Sequence, residues 1–146
     1  MRRLSLLFAA LLVLPLLGSD SPKEYDDRTE TAGIEGTWRA MEYEFKGTTG
    51  KPTRQCVMTF RGGTLTSPWS DGDLWQGSYR IDPTRQPPHL DWIPSKGFYE
   101  GTTLKAICQI DGDTLRIAYF DGRFTKQRPQ GFNDKGVIVW VHKREK

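Results

Sequence analysis

The residues that could act as catalysts or metal ligands are few and widely spaced. His89 and His142 are the only histidines. Cys56 and Cys108 are the only cysteines. A protein zinc site usually needs three or four such ligands, and no His or Cys spacing here supplies them. Nucleophile-elbow serines, phosphate-binding glycine loops and paired Cys/His arrangements do not occur either. We therefore expect a protein that is not an enzyme and that has no cofactor and no metal site.

The cysteine pair leaves two interpretations open. In an oxidising compartment Cys56 and Cys108 could form a disulfide bond. Free cysteines are also common as small buried apolar side chains. A disulfide requires Cα atoms within about 7 Å of each other, so the arrangement of the strands decides between the two.

The first 19 residues have the pattern of a secretory signal peptide. Arg2 and Arg3 precede an uncharged apolar run, Leu4–Leu17, and the small residues Gly18 and Ser19 follow it. The run is about 14 residues long, whereas a membrane-spanning helix needs about 20. We therefore expect a protein exported across the cytoplasmic membrane, periplasmic or secreted, with no membrane span after cleavage; an uncleaved N-terminal anchor is the alternative.

Residues 20–33 are polar and acidic and are expected to form a flexible leader before a domain at 34–146.

The charge of the chain argues against polyanionic partners. The formal net charge is +3, and removal of Arg2 and Arg3 leaves +1. Such a protein has no long-range field that would attract nucleic acid. We expect a monomer without a nucleic-acid partner, and the sequence identifies no protein partner.

From Ile34 onward, short apolar runs alternate with turn residues, which is typical of β-strands. The Asp111-Gly112 pair is the strongest hairpin signal. Eight consecutive strands with short connections favour an all-β, antiparallel up-and-down barrel, because closure removes both sheet edges. A two-sheet sandwich is the alternative. The strands are predicted at Gly36–Phe45, Gln55–Arg61, Thr64–Ser67, Leu74–Asp82, His89–Ile93, Thr103–Ile110, Thr114–Phe120 and Gly136–His142.

Several short motifs, in order along the domain, are similar to motifs of known proteins. Gly36-Thr37-Trp38, at the head of the first strand, is similar to the Gly-x-Trp signature of lipocalins. The other matching pieces are Met58-Thr59-Phe60, Gly77–Pro83, Ile110–Ile117, Arg128-Pro129 with Phe132, and Lys143-Arg144-Glu145. The series resembles the uncharacterised lipocalin-like domain family that is abundant in planctomycete bacteria. The resemblance implies an eight-stranded lipocalin-like barrel and assigns no activity.

The resemblance also implies how the barrel closes. Trp38 would plug one end, and Arg144 would lie across its ring in a cation–π contact. An antiparallel barrel places the start of its first strand beside the end of its last. In such a barrel Cys56 and Cys108 fall on the second and sixth strands, on opposite walls. Because opposite walls are farther apart than a disulfide allows, a closed barrel and a Cys56–Cys108 disulfide are competing interpretations.

The inward-facing side chains could line a pocket for a small apolar molecule. The candidate lining residues are Met58, Phe60, Trp75, Tyr79, Trp92 and Ile117. On the last strand we expect Val137 and Val139 inside, with Ile138 and Trp140 outside. On the first strand, Trp38 and Tyr43 differ in parity, and a β-bulge near Ala40 would reconcile them.

Two non-catalytic functions remain open on this basis. The first is an exported, non-catalytic barrel that binds a small hydrophobic ligand in its interior. The alternative is a structural or protein-interaction module with a filled barrel. In that case exposed aromatic residues would mark the contact surface, with Trp69, Phe98, Tyr99 and Trp140 as candidates.

Overall fold

The computed structural model describes residues 33–53, 55–68, 74–96, 100–120 and 126–146. The expected signal peptide and residues 20–32 of the expected leader lie outside this range, as do Trp69, Phe98 and Tyr99. Within the described ranges, no helix is long and apolar enough to cross a membrane.

The described residues form an all-β structure with antiparallel strands, and their positions agree closely with the sequence prediction. A short additional strand, β2, follows the first strand. The strands are β1 (Gly36–Phe45), β2 (Thr48–Gly50), β3 (Val57–Arg61), β4 (Thr64–Pro68), β5 (Leu74–Asp82), β6 (His89–Pro94), β7 (Leu104–Asp111), β8 (Thr114–Phe120) and β9 (Val137–Arg144).

Eight of these strands close into a barrel. The order is β1, β3, β4, β5, β6, β7, β8 and β9, and β9 pairs back onto β1 from Trp38↔Arg144 to Phe45↔Ile138. β2 pairs with the second half of β1, beyond the residues of β1 that pair with β3. The predicted antiparallel up-and-down barrel is confirmed, and its architecture is consistent with a lipocalin-like barrel.

The hairpin that Asp111-Gly112 predicts is present between β7 and β8. β7 ends at Asp111 and β8 begins at Thr114, so two residues make the turn. Gly112 has a φ of 55°, a left-handed conformation that costs side-chain-bearing residues free energy. The two turn residues are Gly112 and Asp113, and this tight turn sets the register in which Ile110 pairs with Leu115.

The expected bulge in β1 is present. The pairing of β1 with β9 shifts register between Ala40 and Glu42, so Met41 is the extra residue, and its side chain is 48% exposed. Trp38 before the bulge and Tyr43 after it consequently face the same side of the wall. The bulge lets one long strand contribute apolar residues to the interior along most of its length.

The interior of the barrel holds the main apolar cluster. Its members alternate along the strands with outward-facing residues, as the period of a β-strand requires. The cluster contains Ile34, Trp38, Phe60, Leu65, Tyr79, Leu90, Ala106, Cys108, Leu115 and Ile117, with Met58, Ile81, Trp92 and Tyr119 packed against it.

A second apolar cluster lies on the outer face of β7, β8 and β9. The segment 126–136 packs over it: Phe132 contacts the cluster, and the Arg116 guanidinium lies 4.3 Å from the centre of the Phe132 ring. Arg128 anchors the same segment, because it donates a hydrogen bond to the Leu90 carbonyl and forms an ion pair with Asp91. We name residues 126–136 the outer strap.

The expected orientation of β9 is wrong. Val137 and Val139 belong to the outer cluster under the strap. Ile138 and Trp140 face the interior, because they pair with Tyr119 and Ile117. The physical reason is that the strap covers the outer face of β9, so that this face is as apolar as the inner one. The alternation of apolar and polar residues therefore does not show which face of β9 points into the barrel.

Candidate functional site

The two ends of the barrel differ in how they are covered. The β3–β4, β5–β6 and β7–β8 turns lie at one end, together with residues 33–35 and the end of β9. We name it the closed end. The β1–β2 turn lies at the opposite end, together with the ends of β4, β6 and β8 and the starts of β5, β7 and β9, and we name this end the mouth.

The contact between Trp38 and Arg144 covers the closed end. The Arg144 guanidinium carbon lies 4.0 Å from the centre of the Trp38 ring, and Trp38 is fully buried. The indole Nε1 donates a 2.7 Å hydrogen bond to the Ile34 carbonyl. Arg144 also donates to the carbonyls of Glu35, at 2.6 Å, and Gly33, at 2.8 Å. The structure thus brings together the two residues expected to close the barrel.

Glu35 fastens the segment 33–35 across this end. Its Oε1 accepts hydrogen bonds from the Gly62 backbone N–H, at 2.8 Å, and from the Tyr79 hydroxyl, at 2.9 Å. Gly36 follows with a φ of 123°, and a Cβ placed there would lie 2.8 Å from Arg144 Nη1. Glycine is therefore required where the segment passes under Arg144.

Three of the predicted lining residues lie in the packed layer above the plug. Phe60, Tyr79 and Ile117 are 0%, 4% and 6% exposed. The rings of Phe60 and Tyr79 meet edge to face, with centroids 5.0 Å apart. This layer is a close-packed core, and it forms the floor of the interior on the side that faces the mouth.

The other predicted lining residues lie on different strands around the interior. Met58 and Trp92 are half-buried and pack against the core. The backbone of Trp75 pairs with Ser67 across β4 and β5, and its side chain is outside the described part of the structure. Ser67 itself is fully buried.

Sequence reasoning missed a group of aromatic residues on β1, β8 and β9. The rings of Tyr43 and Trp140 pack against each other with centroids 5.2 Å apart and planes tilted by 44°. Trp140 Nε1 donates a 3.1 Å hydrogen bond to the Tyr119 hydroxyl. All three are half-buried, and they lie on the mouth side of the packed layer. We name Tyr43, Tyr119 and Trp140 the aromatic wall.

His142 lies inside the barrel between the plug and the aromatic wall. It is 2% exposed, pairs with Leu115 and Ala40 on either side, and has its Nδ1 3.4 Å from the Leu115 carbonyl. Burial lowers its pKa to about 4, so the ring is neutral at neutral pH. No group of three His, Cys, Asp or Glu side chains that could hold a metal exists among the described residues.

The two cysteines, for which the sequence left both a disulfide and buried thiols open, are free in the structure. Cys56 lies beside β1, where its carbonyl accepts a hydrogen bond from the Ala40 backbone N–H, and its thiol approaches Ser67 Oγ at 4.0 Å. Cys108 is buried on β7, across the barrel. Burial raises the pKa of both thiols, that of Cys108 to about 12. Opposite walls keep the sulfur atoms apart.

Comparisons with known proteins give no assignment. No protein-family model matches the chain, and neither curated proteins nor solved structures include a match. The chemistry of the site therefore rests on its own residues. On the mouth side of the packed layer, half-buried aromatic side chains face the interior together with polar atoms such as the Tyr119 hydroxyl, a combination of side chains suited to binding apolar molecules.

Proposed function

We propose that this chain is an exported, non-catalytic, lipocalin-like protein that binds a small apolar molecule in the mouth half of its barrel. The observation that carries the proposal is the aromatic wall. Three large side chains that face the interior remain half-buried, although the layer below them is fully buried. Large apolar side chains that one protein leaves half-exposed inside a concave surface are the usual lining of a ligand site.

The asymmetry between the two ends supports the same proposal. The closed end is covered by Trp38, Ile34 and the hydrogen bonds of Arg144 and Glu35. A ligand would therefore enter from the mouth and rest on the layer that holds Phe60 and Tyr79. Tyrosine and tryptophan suit this position, because each combines a large apolar body with one polar atom.

The non-catalytic and exported character of the protein is part of the proposal and rests on separate observations. The interior histidine, His142, is neutral and has its Nδ1 directed at a backbone carbonyl, and burial disfavours the thiolate of Cys108. Neither group is prepared for proton transfer or nucleophilic attack. Export is supported by the signal-peptide pattern of residues 1–19. Membership of the lipocalin-like family is supported by the ordered motifs of the sequence.

The test is a titration of the full chain with N-phenyl-1-naphthylamine, an uncharged lipophilic fluorophore. We expect saturable enhancement of the probe and quenching of tryptophan fluorescence. Tyr43→Ala removes one face of the aromatic wall and should weaken binding several-fold. Glu44→Ala is the matched control, because Glu44 is the next residue of β1, is exposed and faces outward. Circular dichroism of both variants verifies the fold.

Two outcomes would contradict the proposal. Absence of saturable binding by the folded chain would favour the filled-barrel interaction module instead. Equal affinity of the Tyr43→Ala and Glu44→Ala variants would place the probe elsewhere. Trp140 is not available as an exposed contact residue for that alternative, because it faces the interior and packs against Tyr43.

A further inference from the structure

His142 is a polar group in an interior that offers few others. Apart from aromatic and cysteine side chains, Ser67 and His142 are the only buried residues that are polar or charged within the described ranges. The Ser67 hydroxyl lies 4.0 Å from the Cys56 thiol, which serves as its partner. The His142 ring approaches the Leu115 carbonyl at 3.4 Å, which is long for a hydrogen bond. Buried polar groups are usually well bonded, so the imidazole needs a better partner.

The Leu115 contact determines which atom of the imidazole is available to that partner. A carbonyl oxygen only accepts hydrogen bonds, so Nδ1 carries the ring hydrogen and Nε2 carries the lone pair. The two nitrogens of an imidazole point in nearly opposite directions, so Nε2 faces away from the β8 wall. Nε2 makes no hydrogen bond within the described ranges. Because burial lowers the pKa of His142 to about 4, Nε2 keeps its lone pair at neutral pH.

The imidazole lies directly below the aromatic wall. Trp140 and His142 are two residues apart on β9, so both side chains point into the barrel. Their ring centroids are 6.4 Å apart, and the ring planes are tilted by 34°. On the neighbouring strand, β1 places Ala40 opposite His142, and a single methyl group occupies little of the space beside the ring. A molecule with one aromatic ring that packs on Trp140 can therefore direct a substituent at the imidazole.

The lone pair of Nε2 and the absence of buried charge in the described ranges restrict what that substituent can be. A neutral acceptor stabilises a hydrogen-bond donor such as a hydroxyl group, and it has no such effect on an ether oxygen. A carboxylate or an ammonium group would be desolvated without a buried group of opposite charge, which costs more free energy than one hydrogen bond returns. The substituent that fits is a neutral donor.

We infer that the ligand is a neutral aromatic molecule of the phenol class and that His142 Nε2 accepts its hydroxyl hydrogen. This inference rests on the proposed function, because it assigns a chemical class to the molecule bound at the aromatic wall. The ring of the ligand would lie against Tyr43 and Trp140, and its hydroxyl group would reach the imidazole. His142 is a specificity-determining residue in this scheme: the apolar contacts supply most of the affinity, and the acceptor selects molecules that carry a donor.

The experiment compares three probes that share a ring and a propyl chain. The probes 4-propylphenol, 4-propylanisole and 4-propylbenzoate compete with N-phenyl-1-naphthylamine for the full chain at neutral pH. In the anisole a methyl group replaces the hydroxyl hydrogen, and the benzoate carries a negative charge. We expect the phenol to bind about two- to tenfold more tightly than the anisole, as the net effect of one hydrogen bond, and the benzoate to bind most weakly.

Three variants test whether the preference for the phenol comes from His142. His142→Phe replaces the imidazole with an apolar ring and should abolish the preference while the anisole still binds. His142→Gln supplies an amide oxygen as acceptor and should retain part of the preference. His89→Gln is the matched control, because it removes the other histidine, which pairs with Ile107 of the outer cluster. It should leave both affinities unchanged, and circular dichroism verifies the fold of each variant.

Nitrogen-15 NMR of the unaltered chain detects the acceptor directly and does not depend on the folding of His142→Phe. The chain has two histidines, so the His89→Gln spectrum assigns the signals of His142. The resonance of the unprotonated Nε2 should move when 4-propylphenol binds and much less when 4-propylanisole binds, because only the phenol shares a hydrogen with it.

Each outcome decides between the two levels of the argument. Equal affinities for the phenol and the anisole, a preference that persists in His142→Phe, or tightest binding of the benzoate would overturn the inference and leave the proposed apolar site intact. An Nε2 resonance that the phenol does not move would do the same, since water alone would then be its partner. Failure of every probe, including the naphthylamine, would overturn the proposed function itself.

Discussion

Arg144 covers one face of the Trp38 indole, and its guanidinium also reaches two carbonyls in the segment that precedes β1. One side chain thus connects the last strand, the first strand and the residues that cross the closed end. A cation–π contact of this kind stabilises by about 0.5–2 kcal/mol, and its hydrogen bonds add to that. The closed end is therefore a cooperative unit in which the indole is the central member.

Truncation of Trp38 should be among the most destabilising single changes in the chain. Trp38→Ala removes a fully buried ring, on which the Arg144 guanidinium lies, and leaves the Ile34 carbonyl without its indole donor. We expect the free energy of unfolding to fall by about 3–5 kcal/mol, measured by urea denaturation. A melting temperature equal to that of the unaltered protein would contradict the role of Trp38 as a plug.

The stability of the barrel should depend on pH through His142. Its folded pKa is about 4, below the unfolded value of 6.5, so between these values the unfolded chain takes up a proton that the folded chain does not. Stability is full above pH 6.5, and it falls by at most about 1.4 kcal/mol per pH unit as pH drops toward 4. Chemical denaturation at several pH values measures the slope.

The variant His142→Leu should flatten that slope, because it removes the group that titrates only after unfolding. His89→Gln is the comparison, since His89 has a lowered pKa but lies nearer the surface. It should retain most of the slope between pH 4 and pH 6.5. An unchanged slope in His142→Leu would show that another group controls the acid sensitivity.

Both cysteines should titrate as thiols. In the unreduced, denatured protein we expect two reactive thiols per chain, measured with a chromogenic disulfide reagent. In the native protein Cys56 should react before Cys108, because Cys56 is only half-buried while the Cys108 thiol has a pKa of about 12. Loss of both thiols in the unreduced sample would establish a disulfide and require a different arrangement of β3 and β7.

The outer strap should contribute to stability although it lies outside the barrel. Phe132→Ala exposes part of the cluster that includes Val137 and Val139 and removes the ring under Arg116. Since Phe132 is half-buried, we expect a loss of about 1–2 kcal/mol in unfolding free energy, less than for a fully buried ring. Gln130→Ala, an exposed change in the same strap, serves as the control and should have little effect.

The barrel could be predicted from the sequence because its signals are local. Turn residues such as Asp111-Gly112 mark where strands end, and sequential hairpins have few ways to close. The bulge in β1 was also predictable, since Trp38 and Tyr43 are both large and apolar but differ in parity. What these signals share is that each is contained within a few residues.

Which face of β9 points into the barrel was not predictable from the residues of β9, because both of its faces are apolar. A longer-range argument was nevertheless available. If Arg144 reaches Trp38 from inside the closed end, then His142, Trp140 and Ile138 must share its face, since they differ from it by even numbers of residues. That step would have identified the aromatic wall from the sequence.

The outer strap had no comparable signal. Arg128 holds it through the Leu90 carbonyl and Asp91, and the Pro129 ring is fully buried. Contacts to backbone carbonyls depend on where the strands lie in space, so the pattern of side chains along the sequence does not predict them. From the sequence alone the strap is therefore predicted to be a polar loop, and only the positions of the neighbouring strands show that it packs against them.

The segment 33–35 crosses the barrel beside Arg144, so the polypeptide enters and leaves the cylinder at the same pole. A tether attached at residue 33 or at Lys146 would emerge at the end opposite the mouth, where Phe45 and Ile138 pair. A protein immobilised through either of these points would therefore present its mouth to the solvent. A fusion partner attached at either point would not cover the mouth.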